Sequence, residues 1–317
     1  MTAGKLADIA RGVWDDGTAG TQLFSEFAAR VVELRSGNLN PRSLLNYEAS
    51  IRNHLLPTFG RKRLRDIQAI DIDLWWAKQP ATPGRKNNYR VLSNIMKFAV
   101  KYREITTTPC QVDKAGKDTS KPRPYLDLDG LARVLSMCDP FMRTFVLVTM
   151  GASLRVGEAI GLDRNNINLS TGQIDVVQQM VYSPGGAVLD TPKNDHQRTV
   201  TLLGPALEAL REHLKAHPSI GGTPVFTNAS GGRVSRAHIY REWKKIRHDA
   251  GFPWLHIHDL RHTGLTVFAQ SGATLKETMD RGGHSTPTIA MRYQHSAAGR
   301  ETAVSAIATK MLKEAVG

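Results

Sequence analysis

The sequence predicts a mainly α-helical protein with a small β-sheet, divided into a helical first half and a mixed α/β second half. Three observations predict it. Apolar residues recur at three- and four-residue steps along much of the chain, strand-like runs are confined to residues 173–202, and a polar stretch without periodicity separates the halves. That stretch, residues 111–124 (QVDKAGKDTSKPRP), mixes Lys, Asp, Gly, Ser and two prolines and reads as a linker.

In chain order, residues 1–20 form a short extension without the apolar core of a signal peptide. TQLFSEFAARVVELR then sets Leu23, Phe24, Phe27, Val31 and Leu34 along one helical stripe. PRSLLNYEASIRNHLL repeats the pattern, with Pro41 suited to a first turn and Pro57 as a stop. AIDIDLWWAKQ and KNNYRVLSNIMKFAVKY, separated by PATPG, complete a four-helix unit over residues 21–110, whose connecting FGRKRLR is strongly basic. After the linker, LDGLARVLSMC and the long run PFMRTFVLVTMGASLRVGEAIGL read as helical. QIDVVQQMVY and RTVTL read as strands around the turn SPGGA, and GPALEALREHLKAH returns to helix. The second unit spans residues 125–299. In the remaining segment, 300–317, Ala303 and Val304, Ile307 and Ala308, then Met311 and Leu312 recur in four-residue steps, so one helical face is apolar and needs a partner.

Composition narrows the function. With 41% hydrophobic and 22% charged residues the chain is an ordinary globular protein, but its formal charge of +13 favours a polyanion as partner. Residues 1–110 carry 17 Lys+Arg against 10 Asp+Glu and residues 111–317 carry 25 against 19, so positive charge is denser in the smaller half. Nucleic acid leads over a membrane surface, because no apolar run reaches the roughly 18 residues of a spanning helix. Two cysteines, Cys110 and Cys138, make neither a disulfide framework nor a zinc site by themselves, and a reduced, cytoplasmic setting is expected.

The densest chemistry lies in HIHDLRH, residues 256–262. His256, His258 and His262 stand at i, i+2 and i+6, so only the last pair shares a helical face, and no zinc spacing is present. A helix opening at His258 or Asp259 puts Asp259 in the first turn, where the helix dipole favours it. His258 and Arg261, at i, i+3, lie on one face and can grip one anion together. Elsewhere GASLRVGEAIGL places Arg155 and Glu158 at the same spacing in an apolar helix, where a charge pair is unexpected unless it serves a site. LDTPKNDHQRTVTL puts Lys193 just ahead of a strand, and DRGGHSTPTIAMRYQHS supplies His284 and, nine residues on, Tyr293.

This ordered set, Leu-Arg-x-Gly-Glu, a strand lysine, His-x-Leu-Arg-His, Gly-His and Arg-Tyr, resembles the tyrosine recombinases, the family of phage integrases and Xer-type resolvases. The resemblance covers Tyr125 to Gln294 and, more loosely, the helical first half. It implies a SAM-like core-binding domain at 21–110, a catalytic domain at 125–299 and a C-terminal helix at 300–317 that protomers exchange. By the same resemblance Tyr293 is the nucleophile, Arg155 and Arg261 clamp the phosphate, and His258 and His284 are further phosphate or proton-transfer partners. Lys193 is then the general acid and Glu158 a supporting acid, while Arg198, His196, His262 and His295 are left as structural or DNA-backbone contacts. Where the family commonly has leucine this chain has Gly282, a change expected to loosen packing rather than chemistry.

The residue types suit phosphodiester transfer. Two guanidinium forks can hold the charge that grows on the non-bridging oxygens. A phenol with a free pKa of about 10 needs help to ionise, a task for His258 and the arginines. A leaving 5′-oxygen needs a proton, which the ammonium of Lys193 can give. The resemblance implies a site-specific recombinase, a phage or mobile-element integrase, working through a 3′-phosphotyrosyl intermediate without metal or nucleotide cofactor. It implies double-stranded DNA with core attachment-type sites as substrate, a homotetramer on paired sites, and a directionality factor or host DNA-bending protein as further partners. About twenty residues precede the first helix, fewer than a separate arm-binding domain needs, so binding to core sites alone is expected. A Xer-type resolvase and a type IB topoisomerase-like enzyme remain alternatives, as does a non-enzymatic helix-turn-helix protein.

Overall fold

The computed structural model describes residues 19–113, 115, 125–183, 185–192, 197–218, 221–293, 305, 306, 309 and 313. The chain forms two compact units, Met1–Ser120 and Lys121–Gly317. The architecture is mainly helical with small antiparallel sheets, as the sequence predicts.

In the first unit α1 (Phe24–Ser36), α2 (Pro41–Ser50), α3 (Leu56–Phe59), α4 (Ala69–Lys78) and α5 (Pro83–Lys101) enclose one core. Phe24, Phe59 and Trp75 form its centre, with ring centroids 5.9 and 5.8 Å apart, and Leu92, Ile95 and Met96 of α5 are fully buried against them. Each such side chain contributes about 1.5–3 kcal/mol by leaving water. Asn40 caps α2 by accepting from the Ser43 amide at 2.8 Å, and Pro41 occupies the first turn as expected.

Pro57 does not stop the second helix. Between α2 and α3 the chain widens into a π-helical turn, Ile51–Leu55, and helical structure resumes through the proline to Phe59. Pro57 has no amide to give the carbonyl four residues back, and its ring crowds that carbonyl. The wider turn relieves the crowding, with the Leu56 amide donating to the Ile51 carbonyl instead. The carbonyl of His54 accepts a hydrogen bond from Trp75 Nε1 at 3.0 Å, which ties the turn to α4.

In the second unit α6 (Leu128–Ser136) and α7 (Pro140–Gly151) are capped by Asp127 and Asp139, which accept from backbone amides at 2.8 and 2.7 Å. The run 140–162, expected to be one helix, is two. Helix α7 ends at Gly151 and α8 (Val156–Gly161) begins after a turn in which Ser153 takes a φ of 53°. A left-handed serine costs roughly 1–2 kcal/mol. Two buried arginines hold it there: Arg261 donates to the Ser153 carbonyl at 2.7 Å and Arg281 to its hydroxyl at 3.3 Å.

Strands β1 (Ile167–Asn168), β2 (Gln173–Val176) and β5 (Arg198–Thr201) form one antiparallel sheet, with Ile174 opposite Ile167 and Val200. Strands β3 (Gln179–Ser183) and β4 (Gly186–Asp190) form a separate hairpin. The run 173–182 is therefore two strands, and RTVT pairs with β2 rather than across the SPGGA turn. At the break Gln178 turns its amide into the protein, donating to the Gly161 carbonyl and the Asp163 carboxylate at 2.7 Å each.

Helices α9 (Gly204–Ala216), α10 (Arg236–Asp249), α11 (Ile257–Gln270), α12 (Leu275–Gly282) and α13 (Pro287–Ala290) follow, and a 3₁₀ turn, Met291–Tyr293, ends the continuously described chain. Helix α10 buries Ile239, Trp243 and Ile246 and exposes Arg241, Lys244 and Lys245. Helix α11 can lie against α7 only because residue 264 is glycine, since a Cβ there would overlap the Met150 carbonyl oxygen. Of the linker, residues 111–113 and 115 are described. Of the predicted C-terminal helix, Ser305, Ala306, Thr309 and Lys313 are helical and exposed; its apolar positions lie outside the described residues. Among the described residues no helix is long and apolar enough to cross a membrane.

Candidate active site

Glu158 organises the site. As the third residue of α8 its carboxylate accepts from the Arg155 amide at 2.8 Å, which caps the helix. It also pairs with the Arg155 guanidinium at 2.6 Å, accepts two hydrogen bonds from Arg198 at 2.7 and 3.2 Å, and lies 3.9 Å from Arg261. Glu158 is 1% exposed. Burial alone would raise its carboxyl, but the hydrogen bond and charge of Arg198, then the charges of Arg261 and Arg155, outweigh that and hold it at about 2. The turn at Ser153 thus puts Arg155 at a helix N-terminus rather than inside a helix, with its side chain 24% exposed and still tied to Glu158.

Arg261 sits one turn into α11 and is 2% exposed. Three of its donors are engaged: Nη1 to the Ser153 carbonyl at 2.7 Å, and Nη2 both to the Gly282 carbonyl and to His284 Nε2, the latter at 3.1 Å. Burial, then the charge of Arg155, pushes its guanidinium down to about 9 against the opposing pull of Glu158, so it stays cationic at neutral pH. Arg281 lies behind it, over the Phe268 ring at 4.3 Å, donating to the carbonyls of Gly151 and Thr201.

Because a guanidinium only donates, His284 Nε2 must accept from Arg261, and the ring proton of neutral His284 sits on Nδ1. That Nδ1 is buried without a hydrogen-bond partner among the described residues. Loss of water, then the charges of Arg261 and Arg155, lowers His284 to about 4. His258 is also lowered, by loss of water on its protein side and then by His262 and Arg261, although its side chain is exposed. Both imidazoles are therefore neutral at pH 7.

The space left by Gly282 is filled rather than loosened, which corrects the packing expected from sequence. A Cβ at position 282 would lie 2.7 Å from Cε1 and 2.8 Å from Nδ1 of His284, so the ring occupies the space a side chain would need. Glycine at this position sets where the imidazole points.

Tyr293 is 4% exposed and stands against Leu265 and Ala269 of α11. Its ring lies parallel to that of His284, with centroids 5.8 Å apart and an 8° interplanar angle. Its hydroxyl is 2.6 Å from His262 Nδ1. From sequence alone His262 is a structural or DNA-backbone contact; the structure places it on the tyrosine. The available signal was its i+4 relation to His258, whose ring it meets edge-on at 4.8 Å. Arg198, left in the same group, braces Glu158.

Five of the predicted residues, Arg155, Arg261, His258, His284 and Tyr293, are brought together with Glu158. Lys193, His196 and His295 lie outside the described residues. Among those described, no group of three His, Cys, Asp or Glu side chains could hold a metal ion. The arrangement can hold a dianionic, phosphorus-centred transition state beside a phenol.

Comparison with known proteins gives a consistent picture. Residues 125–300 match the Phage integrase family and residues 23–78 its N-terminal SAM-like domain. The chain is 34% identical over 298 residues to a protein of Mycobacterium tuberculosis named for the phiRv2 prophage as an integrase, which spans 91% of this chain and 78% of that one. Its fold is similar to that of the Tn1549 transposon integrase in complex with a circular intermediate DNA, with a TM-score of 0.75, 19% identity, and coverage of 87% of this chain and 96% of that one. It is also similar to a lambda integrase tetramer bound to a Holliday junction, with a TM-score of 0.69, 16% identity, and coverage of 90% and 80%.

Proposed function

Since the chain belongs to the Phage integrase family of tyrosine recombinases, we propose that Tyr293 is the nucleophile with which it cuts and rejoins double-stranded DNA at core attachment-type sites. The observation that carries this reading is the seat of Tyr293, a buried residue whose ring lies parallel to that of His284, itself bonded to Arg261.

In this mechanism the scissile phosphate lies against the guanidinium of Arg155 and the remaining donors of Arg261, which His284 braces through Nε2. These groups gain most when charge develops on the non-bridging oxygens, so they favour the transition state over the ground state. Neutral His258 donates or accepts without adding charge. Attack by Tyr293 forms a 3′-phosphotyrosyl bond and expels the 5′-oxygen, which Lys193 protonates. The intermediate keeps the energy of a phosphodiester, so resealing needs no nucleotide cofactor. Glu158 holds Arg155, Arg198 and Arg261 in place against their mutual repulsion.

Residues 21–110 serve as the core-binding domain and 125–299 as the catalytic domain, both acting on the same DNA. Four protomers assemble on paired sites, exchanging the 300–317 helix, and a directionality factor or host DNA-bending protein sets the balance of integration and excision. Cleavage in step within a closed ring gives each active site a means of sensing its neighbour.

The test is incubation with DNA carrying paired attachment sites, followed by a denaturing gel. Recombinant product and a protein–DNA adduct are expected from the native chain, and Tyr293→Phe is expected to bind but form no adduct. Binding without any adduct would favour the helix-turn-helix alternative, and relaxation of supercoiled DNA lacking paired sites would favour a topoisomerase.

A further inference from the structure

We propose that His262 is the base that takes the Tyr293 proton during attack and returns it during resealing. The proposal rests on Tyr293 being the nucleophile. It starts from the 2.6 Å separation of the Tyr293 hydroxyl and His262 Nδ1, at the short end of the hydrogen-bond range. With the ring proton on Nε2, the phenol donates along this line to a lone pair.

The neighbouring groups are poorly placed for the same task. Arg155 and Arg261 have no lone pair to offer. Glu158 is committed to three arginines. His284 accepts from Arg261 through Nε2, carries its proton on Nδ1 and stacks with its plane parallel to the phenol ring. His258 meets His262 edge-on, its ring centroid 4.8 Å away, whereas the 2.6 Å contact with the phenol is made by His262. Helix geometry supplies the arrangement, since residues four apart stack on one face and bring both imidazoles to the side that the 3₁₀ turn delivers Tyr293 to.

The step balances. As Tyr293 Oη bonds to phosphorus its proton passes to Nδ1, leaving an imidazolium protonated on both nitrogens. The bond from phosphorus to O5′ breaks, and O5′ takes a proton from the Lys193 ammonium. In resealing, the 5′-hydroxyl attacks and returns its proton to Lys193, while the imidazolium protonates the departing phenolate. The imidazolium faces His258 and Arg261 on its own helix, His284 after α12 and Tyr293 on the 3₁₀ turn. His258 and His284 are neutral there at pH 7, which limits the charge it meets.

The test uses the full chain and a nicked half-site that traps the cleaved product, with His262→Ala, His262→Asn and Tyr293→Phe compared from pH 6 to 9. Asparagine keeps an acceptor near the Nδ1 position but cannot hold a proton, so it covers the case in which alanine loosens the fold. Both His262 variants are expected to bind the half-site as the native chain does and to cleave about 100-fold or more slowly at pH 7. The deficit should narrow as pH rises, because the phenol must then ionise unaided, by about tenfold per pH unit below its usual value. Full-rate cleavage by His262→Asn, a loss under about threefold in His262→Ala, or a deficit constant across pH would overturn the proposal. An adduct persisting in Tyr293→Phe would instead reject the nucleophile, separating the two failures.

Discussion

Replacing Glu158 with glutamine should unbalance the three arginines that its carboxylate holds. The carboxyl sits at about 2 in the folded chain against an ordinary 4.5. At about 1.36 kcal/mol per unit, the difference is roughly 3 kcal/mol of stability at neutral pH. An independent expectation agrees, since removing one partner of a buried ion pair costs about 3–5 kcal/mol. For a unit of this size that corresponds to a fall in Tm of about 6–12 °C. The pH dependence has a definite sign. A carboxyl with a depressed folded pKa stabilises fully above its unfolded value and loses that contribution as pH falls from 4.5 towards 2. The gap between native and Glu158→Gln proteins, measured by urea unfolding, should therefore be near its full value at pH 7 and shrink to about 1 kcal/mol by pH 3. A variant within about 1 kcal/mol of the native chain at pH 7, or a gap unchanged at pH 3, would refute the view that Glu158 is an ionised hub.

Other expected outcomes test separate parts of the site. Gly282→Ala forces the packed His284 ring aside at a cost of about 1–3 kcal/mol of stability, so half-site binding should hardly change while covalent cleavage falls about 100-fold; cleavage at the native rate would show that the ring position is unimportant. Lys193→Ala should cleave an ordinary site poorly but recover on a substrate with a 5′-bridging sulfur, which leaves without a proton, and failure to recover would move the acid role elsewhere. Truncation after Arg300 should spare binding to one half-site and impair paired-site assembly, as native gels can show; normal assembly and recombination would make the segment dispensable.

Much of this was legible in the sequence, and the exceptions share a cause. Apolar spacing located the α1 and α2 helices and α4 to α7, and the caps Asp127 and Asp139 lie where polar residues precede apolar runs. Periodicity did not reveal the turn at Ser153, because residues 152–156 continue the apolar pattern. What breaks the helix is tertiary, two arginines more than a hundred residues away that take the Ser153 carbonyl and hydroxyl. The passage through Pro57 is likewise local chemistry overridden by context, with Trp75 satisfying a carbonyl in the widened turn. The site residues were findable because their types and order are unusual together. The role of Gly282 was not, since the ring filling its missing side chain comes from two residues on and only geometry shows the overlap. His262 was visible as a partner for His258 but not for Tyr293, because nothing in the sequence says how the 3₁₀ turn folds back on α11.

As the proposed nucleophile, Tyr293 becomes joined to a DNA 3′-phosphate. The direct measurement is to trap the complex on a nicked core site, digest both protein and DNA, and identify the nucleotide-bearing peptide by mass spectrometry. A single modified peptide is expected, carrying a 3′-phosphate ester on Tyr293, with a free 5′-hydroxyl on the released strand. Attachment at another residue, a 5′-phosphate linkage, or cleavage that leaves no modified peptide would contradict it.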